Sequence, residues 1–291
     1  MAWLQLILQI PGDTAERYED ALQSLGASAV TLMDNGDQPL LEPPPGATPV
    51  WDDSRLIGLF AADIDTDLLL AALQNQVGPL PAHRLEALED KDWEREWMAN
   101  YQPMRFGRRL WVCPSWCEPP DPNGVNLLLD PGLAFGTGTH PTTHLCLAWL
   151  DAQDLADKTL IDYGCGSGIL AVAGALLGCD TVIGVDNDPQ ALLATDNNAR
   201  RNQVSDRIKA FSPESAPTEP GDVLVANILA GPLIDLAPRL AALVKPGGRI
   251  ALSGILQSQA DSVIQAYRPY FHLEPLAQRE DWVRISGLRN V

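Results

Sequence analysis

A glycine-rich segment at residues 162–168, with the sequence DYGCGSG, carries residue types that can hold a nucleotide. An apolar run precedes it and a helix-like run follows it, and Asp186 ends the next strand-like run, 22 residues after Gly164. Glycines let a backbone approach a ligand closely, and an acidic side chain at the end of the second strand can accept both hydroxyls of a ribose. Gly164, Gly166 and Asp186 are therefore candidate cofactor-binding residues.

The carboxylate of Asp162 discriminates among the cofactors that such a turn can hold. Asp162 lies two residues before the first glycine, and the glycine spacing is G-x-G-x-G, not the G-x-G-x-x-G of dinucleotide sites. A carboxylate at this point opposes a pyrophosphate and favours an ammonium group, which S-adenosylmethionine carries beside its sulfonium. The pattern favours this methyl donor over a nicotinamide dinucleotide and makes Asp162 a candidate cofactor-binding residue. The alternative for Asp162 is a capped turn at the strand end, which is compatible with donor binding.

A second glycine-rich segment, LAFGTGTHPTTHLCLAW, spans residues 133–149 and lies before the DYGCGSG segment in the chain. Neither segment is followed by the lysine of a phosphate-binding loop, which argues against an ATPase. The hydroxyl-rich part of this segment predicts a lid over the donor, in which Phe135 shields the site from water and Thr143 reaches the donor's carboxylate or amine. His140 is interpreted as a hydrogen-bonding brace of the loop, with a general base as the alternative.

Asn227 lies where the acceptor is expected, at the carboxyl end of the strand-like run DVLVAN. Ligands of open α/β sheets bind at that edge. Amino-group methyltransferases often carry the motif Asn-Pro-Pro-aromatic here, whereas this chain has Asn-Ile-Leu-Ala. Without the prolines and the aromatic ring, a planar nucleobase or a glutamine amide has no surface to stack on. An aliphatic amine needs no such surface. Asn227 is therefore the candidate catalytic residue, and it would orient the amine through its carbonyl oxygen.

From about residue 110 onward, strand-like and helix-like runs alternate, which predicts a doubly wound, mostly parallel sheet. The predicted strands are 159–163, 181–186, 207–211, 222–227 and 248–253, and the predicted helices begin near residues 168, 189, 229 and 257. Two strand-like runs at the end, FHLEPLAQRE and DWVRISGLR, predict an antiparallel pair. A mostly parallel sheet with such an end resembles that of class I methyltransferases, so that the expected fold class is α/β, with a Rossmann-like, seven-stranded domain of this type over residues 110–291.

Residues 1–89 predict a smaller α+β domain. Apolar residues alternate in its first strand, and Asp13 and Glu16 have the spacing of a capping box for a helix that follows. Two further strands, a helix over 66–77 and a fourth strand complete the order βαββαβ, which is that of a ferredoxin-like domain. Residues 90–109, which include the charged run KDWEREWMANY, predict a linker helix between the domains.

The composition indicates a globular, cytoplasmic protein, with 46% hydrophobic and 20% charged residues. The five cysteines mostly lie in apolar runs, which suits a reducing compartment, and their spacing predicts no metal site. No run reaches the length of a membrane span. The formal net charge of -18 opposes direct binding to nucleic acid and favours a basic partner. Nothing demands more than a monomer.

Several motifs in one order resemble a single family. LDPGLAFGTGTHPTTHLCL, DYGCGSGILA, GVDNDPQAL, VANILAGPL and LSGIL are similar to segments of the PrmA family, the methyltransferases of the eleventh large-subunit ribosomal protein. The resemblance covers about the last 180 residues closely and the N-terminal domain more loosely. It implies an N-terminal domain that recognises the ribosomal protein, a mobile linker helix, and metal-free trimethylation of α- and ε-amino groups by S-adenosylmethionine. The family's donor-binding positions fall on Thr143, Gly164, Asp186 and Asn227, and His144 departs from the family's pattern.

Other functions are compatible with parts of this pattern, since a fold does not fix the acceptor. The main alternative is a class I methyltransferase that acts on RNA or on a small molecule, although no basic stripe for RNA is evident. A NAD-dependent oxidoreductase is disfavoured by Asp162 and by the glycine spacing. A binding module that retains donor affinity without catalysis is a further alternative.

Overall fold

Contacts within the chain define two units, Met1–Met98 and Ala99–Val291. A computed structural model describes residues 3–38, 49–88, 101–130 and 138–291 of the chain. In those ranges, no helix combines the length and the apolar character that crossing a membrane requires.

The first unit is an antiparallel sheet with two helices. Its elements are β1 (Trp3–Pro11), α1 (Ala15–Ser24), β2 (Ala29–Asp34), β3 (Asp53–Ala61), α2 (Thr66–Val77) and β4 (His83–Leu88). The strand order β2-β3-β1-β4 and the element order βαββαβ are those of the predicted ferredoxin-like domain. Leu8, Leu22 and Leu73 belong to the core that joins the sheet to the helices.

The start of α1 differs from the prediction. Gly12–Thr14 form a 3-10 turn that runs directly into the helix, so that Thr14 and not Asp13 is the N-cap residue, without a capping bond from its side chain. Thr14 instead donates its hydroxyl hydrogen to the carbonyl oxygen of Pro11 at 2.7 Å. By contrast, α2 begins and ends at the predicted residues.

Residues 89–100, the larger part of the predicted linker helix, lie outside the described residues. The remainder is not helical: β5 (Met104–Phe106) pairs antiparallel with β6 (Leu110–Cys113), which pairs parallel with β7 (Val125–Leu128). Pro103 explains part of the difference, because the residue before a proline is biased away from the helical conformation. The predicted helix therefore does not extend to residue 109.

One continuous sheet organises the second unit. Its strands are β8 (Thr159–Tyr163), β9 (Thr181–Val185), β10 (Ile208–Phe211), β11 (Gly221–Asn227), β12 (Val244–Leu256), β13 (Phe271–Leu273), β14 (Ala277–Arg279) and β15 (Trp282–Arg289). The order is β10-β9-β8-β11-β12-β15-β13, with β14 paired to β15. Strands β8 to β12 run parallel, and β15 is antiparallel to β12, β13 and β14. The predicted seven-stranded sheet with an antiparallel end is confirmed, and β14 adds a short strand to it.

Helices cover both faces of this sheet. They are α3 (Pro141–Asp151), α4 (Ile169–Leu176), α5 (Pro189–Arg201), α6 (Ala230–Asp235), α7 (Ala237–Ala242) and α8 (Ala260–Tyr267). One core joins α3, α4 and α5 to strand residues such as Leu160 and Val225, and the other joins α6, α7 and α8 to residues such as Ile161. Because side chains alternate along a strand, Asp162 and Asn227 lie on the face that α3 and α4 cover.

Candidate active site

The carboxyl ends of β8, β9 and β11 meet at one edge of the sheet and border a cavity of about 650 Å³. The predicted site residues Gly164, Asp186 and Asn227 lie on its wall. His140, which precedes α3, and Trp282, the first residue of β15, also lie on the wall. The volume is within the range of natural small-molecule sites. The sheet edge thus brings together residues that are far apart in the sequence.

The turn after β8 is built around Gly164. Its φ of 81° lies in the left-handed region, and a Cβ at this position would overlap Cγ2 of Ile228, just after β11. Its N–H donates to the carbonyl oxygen of Val185 at 2.7 Å, which ties the turn to the end of β9. Only glycine therefore fits here without strain, and it keeps the backbone close to the cavity.

Asp186 follows β9, and backbone N–H groups bind both of its carboxylate oxygens. Gly166 donates to Oδ2 at 2.9 Å, and Asp188 donates to Oδ1 at 3.0 Å. An ionised carboxylate has about four acceptor positions, so that each oxygen retains capacity for a ligand hydroxyl. Gly166 thus fixes the carboxylate of Asp186, and this geometry is compatible with the predicted contact to a ribose.

Asp162 is completely buried and is not part of the cavity wall that the described residues form. Its Oδ2 accepts a hydrogen bond from the N–H of Ala171, in the first turn of α4, at 2.9 Å, whereas Oδ1 has no hydrogen-bond partner among those residues. The pKa of Asp162 is raised to about 7, mainly by burial, while the Ala171 bond lowers it and the charge of Asp186 raises it. The bond from Ala171 to Oδ2 therefore forms the capped turn of the alternative interpretation, and Oδ1 has no donor in the described ranges.

Thr143, the predicted contact of the donor's carboxylate or amine, lies beside Asn227. It is completely buried in α3, and its Oγ1 accepts a hydrogen bond from Nδ2 of Asn227 at 3.4 Å. Oδ1 of Asn227 is buried and has no partner in the described part of the chain. The neighbouring Thr142, and not Thr143, lies on the cavity wall. The structure thus places Thr143 where it orients the amide of Asn227.

His140 caps the N-terminus of α3. Its Nδ1 accepts a hydrogen bond from the N–H of Thr142 at 3.3 Å and lies 2.7 Å from Oγ1 of the same residue. The pKa of His140 is lowered, mainly by burial, and the charge of Glu280 opposes this effect. A neutral imidazole that caps a helix is a brace of the turn, in agreement with the interpretation of His140 from the sequence.

The sequence pattern did not single out Trp282. Its side chain is half-buried, and its ring lies 4.8 Å from the ring of His140 at an interplanar angle of 70°. The run DWVRISGLR indicates only a strand with alternating sides. Which side chains of the strand face the cavity depends on which face of the sheet α3 covers. The run of residues in the strand does not contain that information.

The predicted shield Phe135 lies in residues 131–137, outside the described residues. The described part of the predicted lid begins at Gly138 and includes the turn that His140 braces. Within the ranges that the structure describes, no group of three or more His, Cys, Asp or Glu side chains could hold a metal ion.

Comparison with known proteins finds relatives over nearly the whole chain. The family described as "Ribosomal protein L11 methyltransferase (PrmA)" matches residues 2–290. A ribosomal protein L11 methyltransferase of Cellvibrio japonicus is 56% identical over 291 residues, with 99% of each chain covered. One of Escherichia coli O8 is 55% identical over 293 residues, with 100% of each chain covered. The crystal structure of a ribosomal protein L11 methylase from Lactobacillus delbrueckii subsp. bulgaricus has a TM-score of 0.60 at 30% identity and covers 66% of this chain and 100% of its own.

Proposed function

The chain belongs to the ribosomal protein L11 methyltransferase family, and from this premise we propose that it methylates that protein in the cavity at the carboxyl edge of the sheet. It is an S-adenosylmethionine-dependent enzyme with ribosomal protein L11 as its substrate. We propose that the acceptors are the α-amino group and lysine ε-amino groups, which become trimethylated. The observation that carries this proposal is a pair of buried oxygens, Oδ1 of Asp162 and Oδ1 of Asn227, that lack partners among the described residues.

The residues around the cavity fit S-adenosylmethionine. Gly164 keeps the backbone close to a ligand, Gly166 fixes the carboxylate of Asp186, and Asp186 retains acceptor positions for ribose hydroxyls. Asp162 lies beneath the wall and not on it; its Oδ1 has no donor among the described residues, and an ammonium group that reached it would offset the desolvation of the buried carboxylate. When bound, this cofactor supplies a methyl group that the positive charge on sulfur activates. Phe135 stays a predicted shield of the same site.

The chain's own residues have to align a neutral amine. A lysine amine has a pKa of about 10.4 and an α-amine of about 8, so that the nitrogen must lose a proton before it reacts. Desolvation in the cavity lowers the pKa of an amine. Oδ1 of Asn227 can then accept a hydrogen bond from the nitrogen and direct its lone pair, while Thr143 fixes the amide. Because the leaving sulfur departs neutral, the displacement depends on alignment more than on a strong base, and His140 acts as a brace.

The charge of the chain supports a basic protein as its partner. A net charge of -18 attracts a lysine-rich segment and repels the phosphates of RNA. We therefore propose a cytoplasmic, monomeric enzyme that does not bind nucleic acid directly. In this proposal, residues 1–89 recognise the ribosomal protein, residues 90–109 link the domains, and residues 110–291 perform the methyl transfer.

Asn227→Ala tests the role of the amide. We expect kcat to fall about 100-fold, because a misplaced reacting group loses about this factor. Asn197→Ala is the matched control, since Asn197 is exposed on α5 outside the wall that the described residues form. An Asn227→Ala enzyme with full activity and unchanged substrate affinity would contradict the role of Asn227.

The acceptor class needs a separate experiment. The enzyme is incubated with labelled S-adenosylmethionine and with ribosomal protein L11, ribosomal RNA or the small-molecule fraction of a cell extract, and intact masses are recorded. Mass gains in steps of one methyl group on the protein support the proposal. Label in RNA or in a small molecule would favour the alternative acceptors, and donor binding without any transfer would indicate a binding module.

A further inference from the structure

Trp282 and Asn227 face one cavity from the same edge of the sheet. Asn227, at the end of β11, lies opposite Ser253 of β12, and Trp282, at the start of β15, lies opposite Leu256 of β12. The next residue of β15, Val283, packs in the core formed with α6, α7 and α8. Alternation along the strand therefore directs Trp282 to the other face, where Asn227 also lies.

The ring of Trp282 is held by its surroundings. The ring of His140 packs edge-on against it at 4.8 Å, and His140 is itself fixed by its bonds to Thr142. Two residues further along the same face of β15, Arg284 donates to the carbonyl oxygen of Leu145 in α3 at 3.3 Å and ties the strand to the helix. Since Trp282 is only half-buried and lies on the cavity wall, part of its ring can contact a ligand.

Successive methylation changes the number of N–H donors and methyl groups that the acceptor nitrogen presents to the cavity wall. A neutral primary amine has two N–H bonds, its monomethyl form has one and its dimethyl form has none. The hydrogen bond to Oδ1 of Asn227 is thus lost before the third transfer. Over the same series the nitrogen gains apolar methyl groups, and an aromatic face attracts N-methyl groups by dispersion and, when the nitrogen is charged, by a cation–π interaction.

We propose that Trp282 is the positioning residue for the later methyl transfers, in which its ring holds the N-methyl groups of a partly methylated amine once Asn227 can no longer bind the nitrogen. This inference rests on the proposed function as an amine methyltransferase. In each transfer the nitrogen lone pair forms the new C–N bond while the carbon–sulfur bond breaks and its electron pair stays on sulfur. An N–H proton passes to water before the next transfer, and the trimethylated nitrogen keeps its positive charge. Trp282 thus determines how far methylation proceeds.

The test measures the rate of each successive transfer in full-length Trp282→Leu, with ribosomal protein L11 as substrate and intact-mass spectrometry as the readout. Loss of an aromatic contact to a methylated amine corresponds to about a 3- to 30-fold effect. We expect the third transfer to slow by about this factor relative to the first, so that mono- and dimethylated products accumulate. Trp282→Phe should restore most of the trimethylated product, because it keeps an aromatic face.

Trp111→Leu is the matched control, since Trp111 is a half-buried tryptophan of the same unit and lies outside the wall formed by the described residues. It should keep the wild-type ratio of third to first transfer. Equal slowing of all transfers in Trp282→Leu, or undiminished trimethylation, would overturn the inference. If Trp282→Leu loses its cooperative thermal transition, and so does not fold, Trp282→Met is measured in its place and judged by the same ratio of third to first transfer. A wild-type enzyme that adds no methyl group to the ribosomal protein would contradict the proposed function instead.

Discussion

Replacement of Asp162 by asparagine is expected to stabilise the ligand-free protein at alkaline pH and to weaken its binding of the methyl donor. The carboxylate is completely buried, accepts a hydrogen bond from Ala171, and has one oxygen without a partner among the described residues. An ionised carboxylate in such a place loses more hydration than one hydrogen bond returns. Asparagine has a similar shape, keeps an oxygen for the N–H of Ala171, and removes the charge.

The magnitude follows from the pKa of Asp162, which is raised from 3.8 to about 7 in the folded protein. At about 1.4 kcal/mol per pH unit, ionisation opposes folding by about 4 kcal/mol. Between the two pKa values the folded state binds more protons than the unfolded state, so that stability falls as the pH rises towards about 7 and levels off above it. Asp162→Asn lacks this dependence, and its advantage over the wild type should widen by about 2–3 kcal/mol between about pH 5 and pH 8.

Urea denaturation of the full chain at these two pH values measures this difference in stability. The transition to follow is the one that S-adenosylhomocysteine shifts, because that transition belongs to the donor-binding unit. Asp188→Asn is the matched control. Asp188 is exposed next to the site and caps α5, and asparagine caps a helix as well as aspartate does. If Asp188→Asn showed the same widening advantage over the wild type as Asp162→Asn, the effect would belong to the loss of any acidic side chain near the site and not to the buried carboxylate.

Calorimetric titration with the donor measures the second half of the prediction. If ionised Asp162 pairs with the ammonium group, the affinity of the wild type should fall by up to about tenfold per pH unit below about pH 7. Asp162→Asn should bind about 10- to 100-fold more weakly at about pH 8, without that slope. Two results together would refute this role of Asp162: the same dependence of stability on pH in the wild type and in Asp162→Asn, and a donor affinity of the wild type that does not change with pH.

Other perturbations test the remaining parts of the site. Gly164→Ala should lower the free energy of unfolding by about 2–5 kcal/mol in urea denaturation, because residue 164 has a left-handed backbone and a Cβ there would contact Ile228. Gly247 has a similar φ but open surroundings, so that Gly247→Ala should lower the free energy of unfolding by only about 1 kcal/mol, and equal losses in the two variants would contradict the steric argument. Asp186→Asn should weaken donor binding about 10- to 100-fold in calorimetry, since fewer acceptors remain for the ribose, and an unchanged Kd would argue against that contact. Raising the salt concentration from about 50 to about 300 mM should raise KM for the ribosomal protein several-fold, because salt screens the attraction of the acidic chain for a basic segment; a KM insensitive to salt would exclude electrostatic recognition.

The parallel part of the sheet was predictable because its strands are continuous apolar runs that end in glycine or polar residues. β8 has the predicted bounds, Thr159–Tyr163, and β9 and β11 differ from the prediction by one residue at one end. The carboxyl ends of parallel strands meet at one edge of a sheet. The places of Asp186 and Asn227 on one cavity wall therefore follow from the order of strands and helices along the chain.

Side-chain direction around that edge was not predictable in the same way. Thr142 and Thr143 are neighbours in α3, and only the packing of this helix on the sheet decides which of the two lies on the cavity wall and which one binds Asn227. Trp282 begins a strand whose partner β12 is separated from it along the chain by α8 and the short strands β13 and β14. Both outcomes depend on contacts between distant segments, which no local pattern of residue types contains.

Alternation along the strands also explains why Oδ1 of Asp162 and Oδ1 of Asn227, which have no donors among the described residues, lie on one side of the sheet. Asp162 pairs in register with Val225, and Asn227 follows two residues later on the same face, under α3 and α4. These helices satisfy one oxygen of Asp162 and the amide nitrogen of Asn227, and leave the other oxygen of each without a donor in the described part of the chain. A buried acceptor without a donor is unfavourable by about 1–3 kcal/mol. In the proposed function, the ammonium group of the methyl donor supplies a hydrogen bond to one oxygen and an N–H of the acceptor amine supplies one to the other, so that binding of the two ligands would relieve both unfavourable acceptors.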